Sequence, residues 1–502
     1  MELFLDNLLE VVVAVNGFLW NFLLLFILCG VGIYYTFKLK FIQVRKFGEG
    51  FRLVFGNLKL NGEKKEHGEM TPFQSLATAI AAQVGTGNLT GAATALLSGG
   101  PGAIFWMWLS AFFGMATIYS EATLAQKYKT VVDGEVTGGP VYYIRAAFTG
   151  KFGKVLAATF SVLIILALGF MGNMVQSNSI GAAFSEVFAS RNINIPPITV
   201  GLLIAVVAGF VFIGGTQRLA SVVEKIVPIM AFVYIIGSLA LIGMNISEVP
   251  EAFKMIIVGA FNPKAVLGGA VGISIKEAIR YGVARGLFSN EAGMGSAPNA
   301  AATATVSHPV KQGLIQTLGV FTDTLIICTC TAFIVLLSSD TLVQYSAKNN
   351  IPLADIAGIE VTQIAISSQV GSWGQYFIAF CIFFFAFSSI IGNYYYGETN
   401  IQFISTKKIY LYLYRILVIG MVLFGSVASM QLVWSIADVF MGLMAILNLI
   451  AIVLLSKIAI KALQDYIAQR KSGKNPVFSA SSIPELGDEV EEWRDDEKEA
   501  TA

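Results

Sequence analysis

This sequence has little charge. Only 13% of its 502 residues are Asp, Glu, Lys or Arg, about half the share of a soluble domain, whereas 55% are hydrophobic and the mean hydropathy is +0.70. Long apolar runs recur from residue 11 to residue 456 with no polar domain between them, which excludes a soluble enzyme held by one anchor. The net charge of +1 gives no reason to expect a nucleic-acid partner. We therefore expect an integral protein of the lipid bilayer.

Cysteine and histidine are also scarce, which narrows the available chemistry. The two histidines, His67 and His308, fall in predicted loops without metal-ligating neighbours and are interpreted as surface residues. Cys328 and Cys330 point about 200° apart around a helix, so they cannot share a metal ion. No Ser/His/Asp arrangement is present, so we expect neither an enzyme nor a cofactor. All four cysteines lie in apolar runs, where a disulfide framework has nothing to join: Cys29, Cys328, Cys330 and Cys381.

The apolar runs predict eleven membrane spans. One further segment, 268–305, is apolar but carries charges such as Glu291, and we count it because charges facing a water-filled cavity are tolerated at membrane depth. Ten charge-poor runs are each long enough to cross a hydrocarbon core of about 30 Å: 11–37, 75–97, 102–126, 155–188, 197–214, 226–246, 312–338, 373–397, 411–429 and 433–456.

The basic residues predict the topology. With eleven spans and the N-terminus outside, 26 of the 33 Lys and Arg residues fall on the inside, as cytoplasmic loops require. Only four fall outside: Arg191, Lys254, Lys264 and Lys348. Residues 457–502 then form a cytoplasmic tail, which we expect to be partly disordered because its acidic end has low complexity.

Two spans are interrupted by glycine and polar residues. Val84–Gly91 reads VGTGNLTG, and Gly286–Gly295 reads GLFSNEAGMG. Glycine weakens a helix by about 1 kcal/mol relative to alanine, and freed backbone groups survive at membrane depth only where they line a cavity or bind something.

The positions of the interruptions predict an inverted repeat. If the helix at 11–37 is set aside, one interrupted helix opens each set of five spans, over 71–247 and 268–456. Five is odd, so the second set enters the membrane from the opposite side, which is typical of secondary transporters. The alternative is that Gly87 and Gly91 form a small-residue packing face, but packing explains neither the polar residues nor the second interruption.

Three strings resemble the alanine or glycine:cation symporters, also called the sodium:alanine symporter family. They are QVGTGNLTGAATALLSGGPGAIFWMW at 83–108, GNMVQSN at 172–178 and LFSNEAGMGSAP at 287–298. The resemblance implies an all-α polytopic protein with the LeuT-like (APC) fold. It also implies sodium-coupled uptake of alanine or glycine across the plasma membrane of a bacterium or archaeon.

The resemblance also implies a substrate site. The amino-acid carboxylate would bind at Thr86, Gly87 and Asn88, where the half-helix after the interruption presents free N–H groups and a positive dipole end. The ammonium group would face Gln176 and the carbonyls near Phe288 and Ser289. The alternative is that the Gln176 side chain only forms a hydrogen bond between two helices. Ala292 and Gly293 complete the implied substrate set.

A cation site is implied beside it. The implied sodium ligands are the carbonyls of Ala81 and Val84 with oxygens of Phe385, Ser388 and Ser389. The two serine hydroxyls have an alternative, which is bonding back to carbonyls of their own helix. Asp323, alone in its span, is a further candidate as a second cation ligand or proton carrier.

One departure from the family puts the substrate in question. Many relatives carry a tryptophan where this chain has Asn393, so serine or glutamine are additional candidate substrates. Two alternatives remain open: a proton-coupled symporter and, more remotely, a channel, although a channel needs a continuous polar face that spans such as 312–338 lack.

Overall fold

The structure is a computed structural model that describes residues 2–56, 70–132, 134–263, 274–353, 356, 358–428, 430–479 and 493. The first helices are α1 (Glu2–Phe18), α2 (Leu24–Lys38), α3 (Ile42–Arg45), α4 (Phe47–Phe55), α5 (Pro72–Gln83), α6 (Ala92–Gly99) and α7 (Gly102–Lys127). An antiparallel hairpin of β1 (Thr130–Val132) and β2 (Glu135–Thr137) follows. Next come α8 (Pro140–Ala147), α9 (Gly150–Ile164), α10 (Asn173–Ala189), α11 (Pro197–Ile213), α12 (Gly215–Met244) and α13 (Val249–Phe261).

The second half of the described chain is helical as well. It holds α14 (Ile275–Asn290), α15 (Pro298–Ala302), α16 (Pro309–Val320), α17 (Thr329–Leu336), α18 (Ser339–Asn349), α19 (Gly358–Val370), α20 (Trp373–Ile404), α21 (Lys408–Gly425), α22 (Met430–Leu454) and α23 (Ser456–Lys471). Stretches of π-helix lie at Leu19–Leu23, Gly87–Gly91, Ile165–Gly172 and Phe321–Cys328.

The long apolar helices make this a multi-pass membrane protein. A shorter apolar helix is Pro197–Ile213, and the two interrupted segments account for the other predicted spans. The total of eleven spans and the five-plus-five repeat stay predictions, and residues 268–273 lie outside the described residues. Among the described residues, eight helices are long and apolar enough to cross a membrane: Leu9–Lys38, Gly102–Lys127, Gly150–Ala189, Gly215–Met244, Pro309–Leu336, Trp373–Ile404, Lys408–Gly425 and Val433–Leu454.

Both interrupted helices begin in the same way. α5 follows a capping box in which the Thr71 hydroxyl accepts from Gln74 N at 2.9 Å and the Gln74 side chain accepts from Thr71 N at 3.0 Å. α14 follows a second capping box formed by Ser274 and Glu277. These reciprocal bonds satisfy the first free N–H groups of each helix, so the first half of each interrupted helix has its own defined start.

The first part of the predicted tail is a packed helix. On α23, Tyr466 Oη donates to Glu49 Oε1 at 2.7 Å, and Arg470 Nε lies 3.0 Å from the same oxygen. Burial raises the pKa of Glu49, but these bonds and the nearby cations outweigh it and leave the pKa below its ordinary value. The predicted disorder of the tail also falls on 480–492 and 494–502, which lie outside the described residues.

His308 is fully buried, so its interpretation as a surface residue is wrong. Its Nδ1 accepts from Val310 N at 3.2 Å at the start of α16, and its Nε2 lies 3.1 Å from Asp465 Oδ2 on α23. The partner that buries it is more than 150 positions away in sequence, so local pattern could not show the contact. His67 lies outside the described residues.

Candidate functional site

The first interruption falls between α5 and the π-helical turn before α6. Val84 leaves the helical region, with φ −80° and ψ 93°. Gly85 N donates to Asn88 Oδ1 at 2.9 Å, and Thr86 donates twice to Gln176 Oε1, from its N at 2.9 Å and its Oγ1 at 2.7 Å. Neutral amide oxygens therefore satisfy the backbone donors of Gly85 and Thr86, and one of those oxygens comes from α10.

The second interruption follows α14 and is held by a carboxylate. Glu291, Gly293 and Gly295 have positive φ angles of 57°, 97° and 81°. Glu121 on α7 accepts from Gly293 N at 3.0 Å, from Gly295 N at 3.1 Å and from the Asn448 side chain. Glu121 is not among the residues predicted from the sequence, although a lone acidic residue in an apolar span is itself a pointer to function.

Glycine is required where the interrupted helices meet their neighbours. A Cβ on Gly85 would lie 2.1 Å from Ser389 Oγ, and one on Gly87 would lie 2.9 Å from Ser289 Cα. Real side chains do not occupy such distances, so only glycine permits this approach. The first interruption is therefore packed directly against both α14 and α20.

The implied cation ligands lie together in the structure. Ser389 Oγ lies 3.0 Å from the Ala81 carbonyl oxygen, 3.4 Å from that of Val84 and 3.1 Å from that of Phe385. Ser388 Oγ lies 2.9 Å from the Phe385 carbonyl oxygen and 3.3 Å from that of Ala81. The hydroxyls thus bond back to their own helix and also reach carbonyls at the C-terminal end of α5, whose dipole favours a cation.

Asp323 bridges the two interrupted helices. Its Oδ1 accepts from Asn88 Nδ2 at 2.6 Å and from Ser289 Oγ at 3.0 Å, and its Oδ2 accepts from Thr324 Oγ1 at 2.7 Å. The carboxylate is fully buried. A change in the charge of Asp323 would therefore alter its hydrogen bonds to both interrupted helices.

A small cavity lies between the interruptions. Four of the implied substrate residues line it: Gly87, Gln176, Phe288 and Asn393. The other lining residues are Ala82, Gln83, Leu168, Gly172, Glu291 and Met441.

The five other implied substrate residues are not part of the cavity lining. The side chains of Thr86, Asn88 and Ser289 are engaged in the hydrogen bonds described above. Ala292 lines a separate cavity, and Gly293 N is held by the carboxylate on α7.

An aromatic and charged cluster adjoins the cavity. The ring of Phe288 packs against Trp434 with centroids 4.4 Å apart, and the Arg285 guanidinium lies 4.8 Å from the Trp434 centroid. Arg285 pairs with Asp438 at 2.5 Å. This partly buried pair ties α14 to α22 beside the cavity.

Comparisons with known proteins agree with this architecture. Residues 5–480 match the model of the sodium:alanine symporter family. The amino-acid carrier protein AlsT of Bacillus subtilis (strain 168) is 47% identical over 502 residues, with 100% of both chains covered. The probable sodium/glutamine symporter GlnT of the same organism is 46% identical over 475 residues, 94% of each chain. The sodium/alanine symporter AgcS of Methanococcus maripaludis is 38% identical over 469 residues, 93% of this chain and 99% of that protein.

A solved structure supports the fold class. The crystal structure of MhsT in complex with L-phenylalanine aligns with a TM-score of 0.54 at 11% identity, covering 81% of this chain and 99% of that chain. This likeness concerns the fold alone, and it agrees with the predicted LeuT-like class. The family and the named relatives are transporters and not enzymes. The chain belongs to the sodium:alanine symporter family.

Proposed function

We propose that this protein imports a small neutral amino acid together with sodium by alternating access. The amino acid is alanine or glycine, with serine or glutamine as further candidates. In this proposal eleven spans form a five-plus-five inverted repeat after one extra helix, in the plasma membrane of a bacterium or archaeon. The N-terminus lies outside and the C-terminus in the cytoplasm.

The meeting of α20 with the end of α5 carries the proposal. Two serine hydroxyls and three carbonyl oxygens converge there, all from buried residues: Ala81, Val84, Phe385, Ser388 and Ser389. Neutral oxygens at the C-terminal end of a half-helix suit a monovalent cation in transporters of this architecture. Sodium is the cation named in the family and in two of the relatives.

The substrate carboxylate binds at the start of the second half-helix, on the donors of Thr86, Gly87 and Asn88. In the structure Gln176 Oε1 accepts two of these donors, both from Thr86. A carboxylate therefore takes the place of the amide oxygen, which leaves Gln176 Oε1 free to accept from the ammonium group. Carbonyls near Phe288 and Ser289 face the ammonium group.

Asn393 supports the wider range of amino acids. Its side chain is 2% exposed, lines the cavity, and its Oδ1 has no hydrogen-bond partner among the described residues. A buried amide oxygen without a partner is costly. A hydroxyl or amide donor on the substrate side chain would satisfy it, which favours serine or glutamine beside alanine and glycine.

Asp323 supports a second candidate, which is coupling to protons or to a second cation. Its buried carboxylate bonds Asn88 on the first interrupted helix and Ser289 on the second. Loading a proton or cation there would change the hydrogen bonds that join the two helices.

Uptake into proteoliposomes tests the proposal. One sodium ion entering down about −100 mV and a tenfold gradient supplies about 3.7 kcal/mol, enough for roughly a 500-fold amino-acid gradient. We expect labelled alanine or glutamine to accumulate steeply with a sodium gradient and to be competed by small neutral amino acids. Uptake that ignores sodium and collapses with a protonophore would support Asp323 coupling instead. Conductance without saturation or accumulation would indicate a channel.

A further inference from the structure

A third buried carboxylate, Glu291, lies at the interruptions and has no role so far. It directly follows α14, in the left-handed region with φ 57°, which is unusual for a residue other than glycine and marks functional sites. Its side chain is 3% exposed. It lines the same small cavity as Gly87, Gln176 and Asn393.

The hydrogen bonds of Glu291 would leave most of a negative charge at this position uncompensated. Among the described residues its carboxylate has one hydrogen bond, from Ser296 Oγ to Oε2 at 2.6 Å, and no ion pair. The basic side chain beside the cavity, Arg285, is committed to Asp438. A charge at this depth is costly unless a cation or several donors meet it.

The other acceptors in the cavity are less suited to an ammonium group. Gln176 Oε1 accepts two bonds from Thr86 in this structure, and once the substrate carboxylate takes those donors it remains a neutral acceptor. Asn393 Oδ1 is neutral. A carboxylate adds the attraction between opposite charges to the hydrogen bond, which a neutral amide oxygen does not, so it is the stronger partner for an ammonium group.

We propose that Glu291 binds the α-ammonium group of the transported amino acid. This inference rests on the proposed amino-acid symport and adds a charged partner to the neutral oxygens assigned there. The carboxylate of the substrate then meets the positive end of the half-helix at Gly87, and its ammonium meets Glu291 on the other interrupted helix. One bound zwitterion thus joins the two interruptions. The same negative charge disfavours substrates with an acidic side chain.

The test compares variants in proteoliposomes and in detergent. Glu291→Gln keeps the shape and an oxygen that can accept from Ser296, but removes the charge. Glu291→Asp keeps the charge and withdraws it by one methylene. Glu251→Gln is a matched control, since Glu251 is an exposed residue paired with Lys254. For each variant we would measure the half-saturating concentration of the transported amino acid, and the binding of radiolabelled sodium without any amino acid.

We expect Glu291→Gln to raise the half-saturating amino-acid concentration by about 10- to 100-fold, the loss typical of a bond to a charged group. Sodium binding without amino acid should stay within about threefold of the parent, which also shows that the variant is folded. Glu291→Asp should weaken amino-acid binding less than Glu291→Gln does, and Glu251→Gln should behave as the parent.

Two results would overturn the inference. One is an unchanged amino-acid affinity in both Glu291 variants. The other is an equal loss of amino-acid and sodium affinity, which would make Glu291 a cation ligand or a structural residue. If Glu291→Gln does not fold, the same two readings of Glu291→Asp decide. The proposed function fails separately, if the parent protein itself shows no sodium-driven uptake of any amino acid.

Discussion

The two interruptions expose similar backbone groups but satisfy them in different ways. At the first, neutral amide oxygens of Asn88 and Gln176 accept from the free donors. At the second, the Glu121 carboxylate accepts from Gly293 and Gly295 and also holds the side chain of Asn448. Charge-assisted bonds are about twice as strong as neutral ones. The backbone donors of the first interruption are therefore held by weaker bonds than those of the second, which is fixed to α7 and α22. The Asn88 side chain at the first interruption donates to the Asp323 carboxylate.

This difference suits a site built at the meeting of two interrupted helices. The amide that holds the first interruption can be exchanged for a substrate carboxylate, while the carboxylate that holds the second has no such competitor. The first interruption is also the one that reaches α20, through the serine hydroxyls. We infer that ligands act mainly on the first interruption and that the second serves as the rigid reference.

The largest expected effect comes from removing the carboxylate on α7. Glu121→Ala leaves the backbone donors of Gly293 and Gly295 and one of the two amide N–H groups of Asn448 without an acceptor, at about 1–3 kcal/mol each. We expect no uptake and a free energy of unfolding lower by about 3 kcal/mol or more, seen as loss of the monodisperse fraction on heating in detergent. Glu121→Gln, which keeps an acceptor oxygen, should fall between the parent and Glu121→Ala.

Gln176→Ala is the matched change at the first interruption and should remain folded. If it is as heat-sensitive as Glu121→Ala, the two interruptions are held equally firmly and the comparison between them fails.

The second largest effect is expected from Ser389→Ala, which should weaken sodium binding. It removes the hydroxyl that reaches the carbonyls of Ala81 and Val84, so the half-saturating sodium concentration should rise roughly tenfold or more. Coupled binding is reciprocal, so each ligand raises the affinity for the other by the same factor. The factor by which sodium raises the affinity for the amino acid should therefore fall as much as the factor by which the amino acid raises the affinity for sodium. Thr159→Ala is the control, because within the described part of the chain that exposed hydroxyl bonds only to a carbonyl of its own helix. A variant that binds and couples sodium as the parent does would make the serine structural and place the cation elsewhere.

Gln176→Ala should have a smaller effect, and mainly on the amino acid. The substitution removes an amide that faces the substrate but also frees the Thr86 donors for the carboxylate, so the two consequences partly cancel. We expect the half-saturating amino-acid concentration to rise about threefold to tenfold, with sodium binding in the absence of amino acid unchanged. An equal loss for both ligands would show that Gln176 only joins α10 to the interruption.

The sequence predicted the features that can be recognised within a single apolar run. It could not predict contacts between residues that are far apart in the chain. The interruption at Gly85 and the serines at 388–389 could be found because polar or glycine residues stand out within an apolar run. Glu121 could not be assigned its role, since its partners lie more than 170 positions further along the chain. The burial of His308 by Asp465 has the same cause. Glu291 was counted as a charge facing a cavity, but only the fold shows which residues share that cavity.

The smallest effect on alanine itself is expected at Asn393, where the change is in selection. An indole in Asn393→Trp reduces the cavity beside Gly172, since Asn393 Nδ2 already lies 3.0 Å from where a Cβ on Gly172 would stand. A steric clash lowers the affinity for a larger ligand more than the loss of one favourable contact does. Competition by glutamine should therefore weaken about tenfold or more relative to alanine, with alanine affinity nearly kept. Asn393→Ala, which enlarges the cavity, should leave glutamine able to enter. Identical competition profiles for the parent and both variants would mean that Asn393 does not contact the substrate, and that the size of the transported side chain is set by other residues of the cavity.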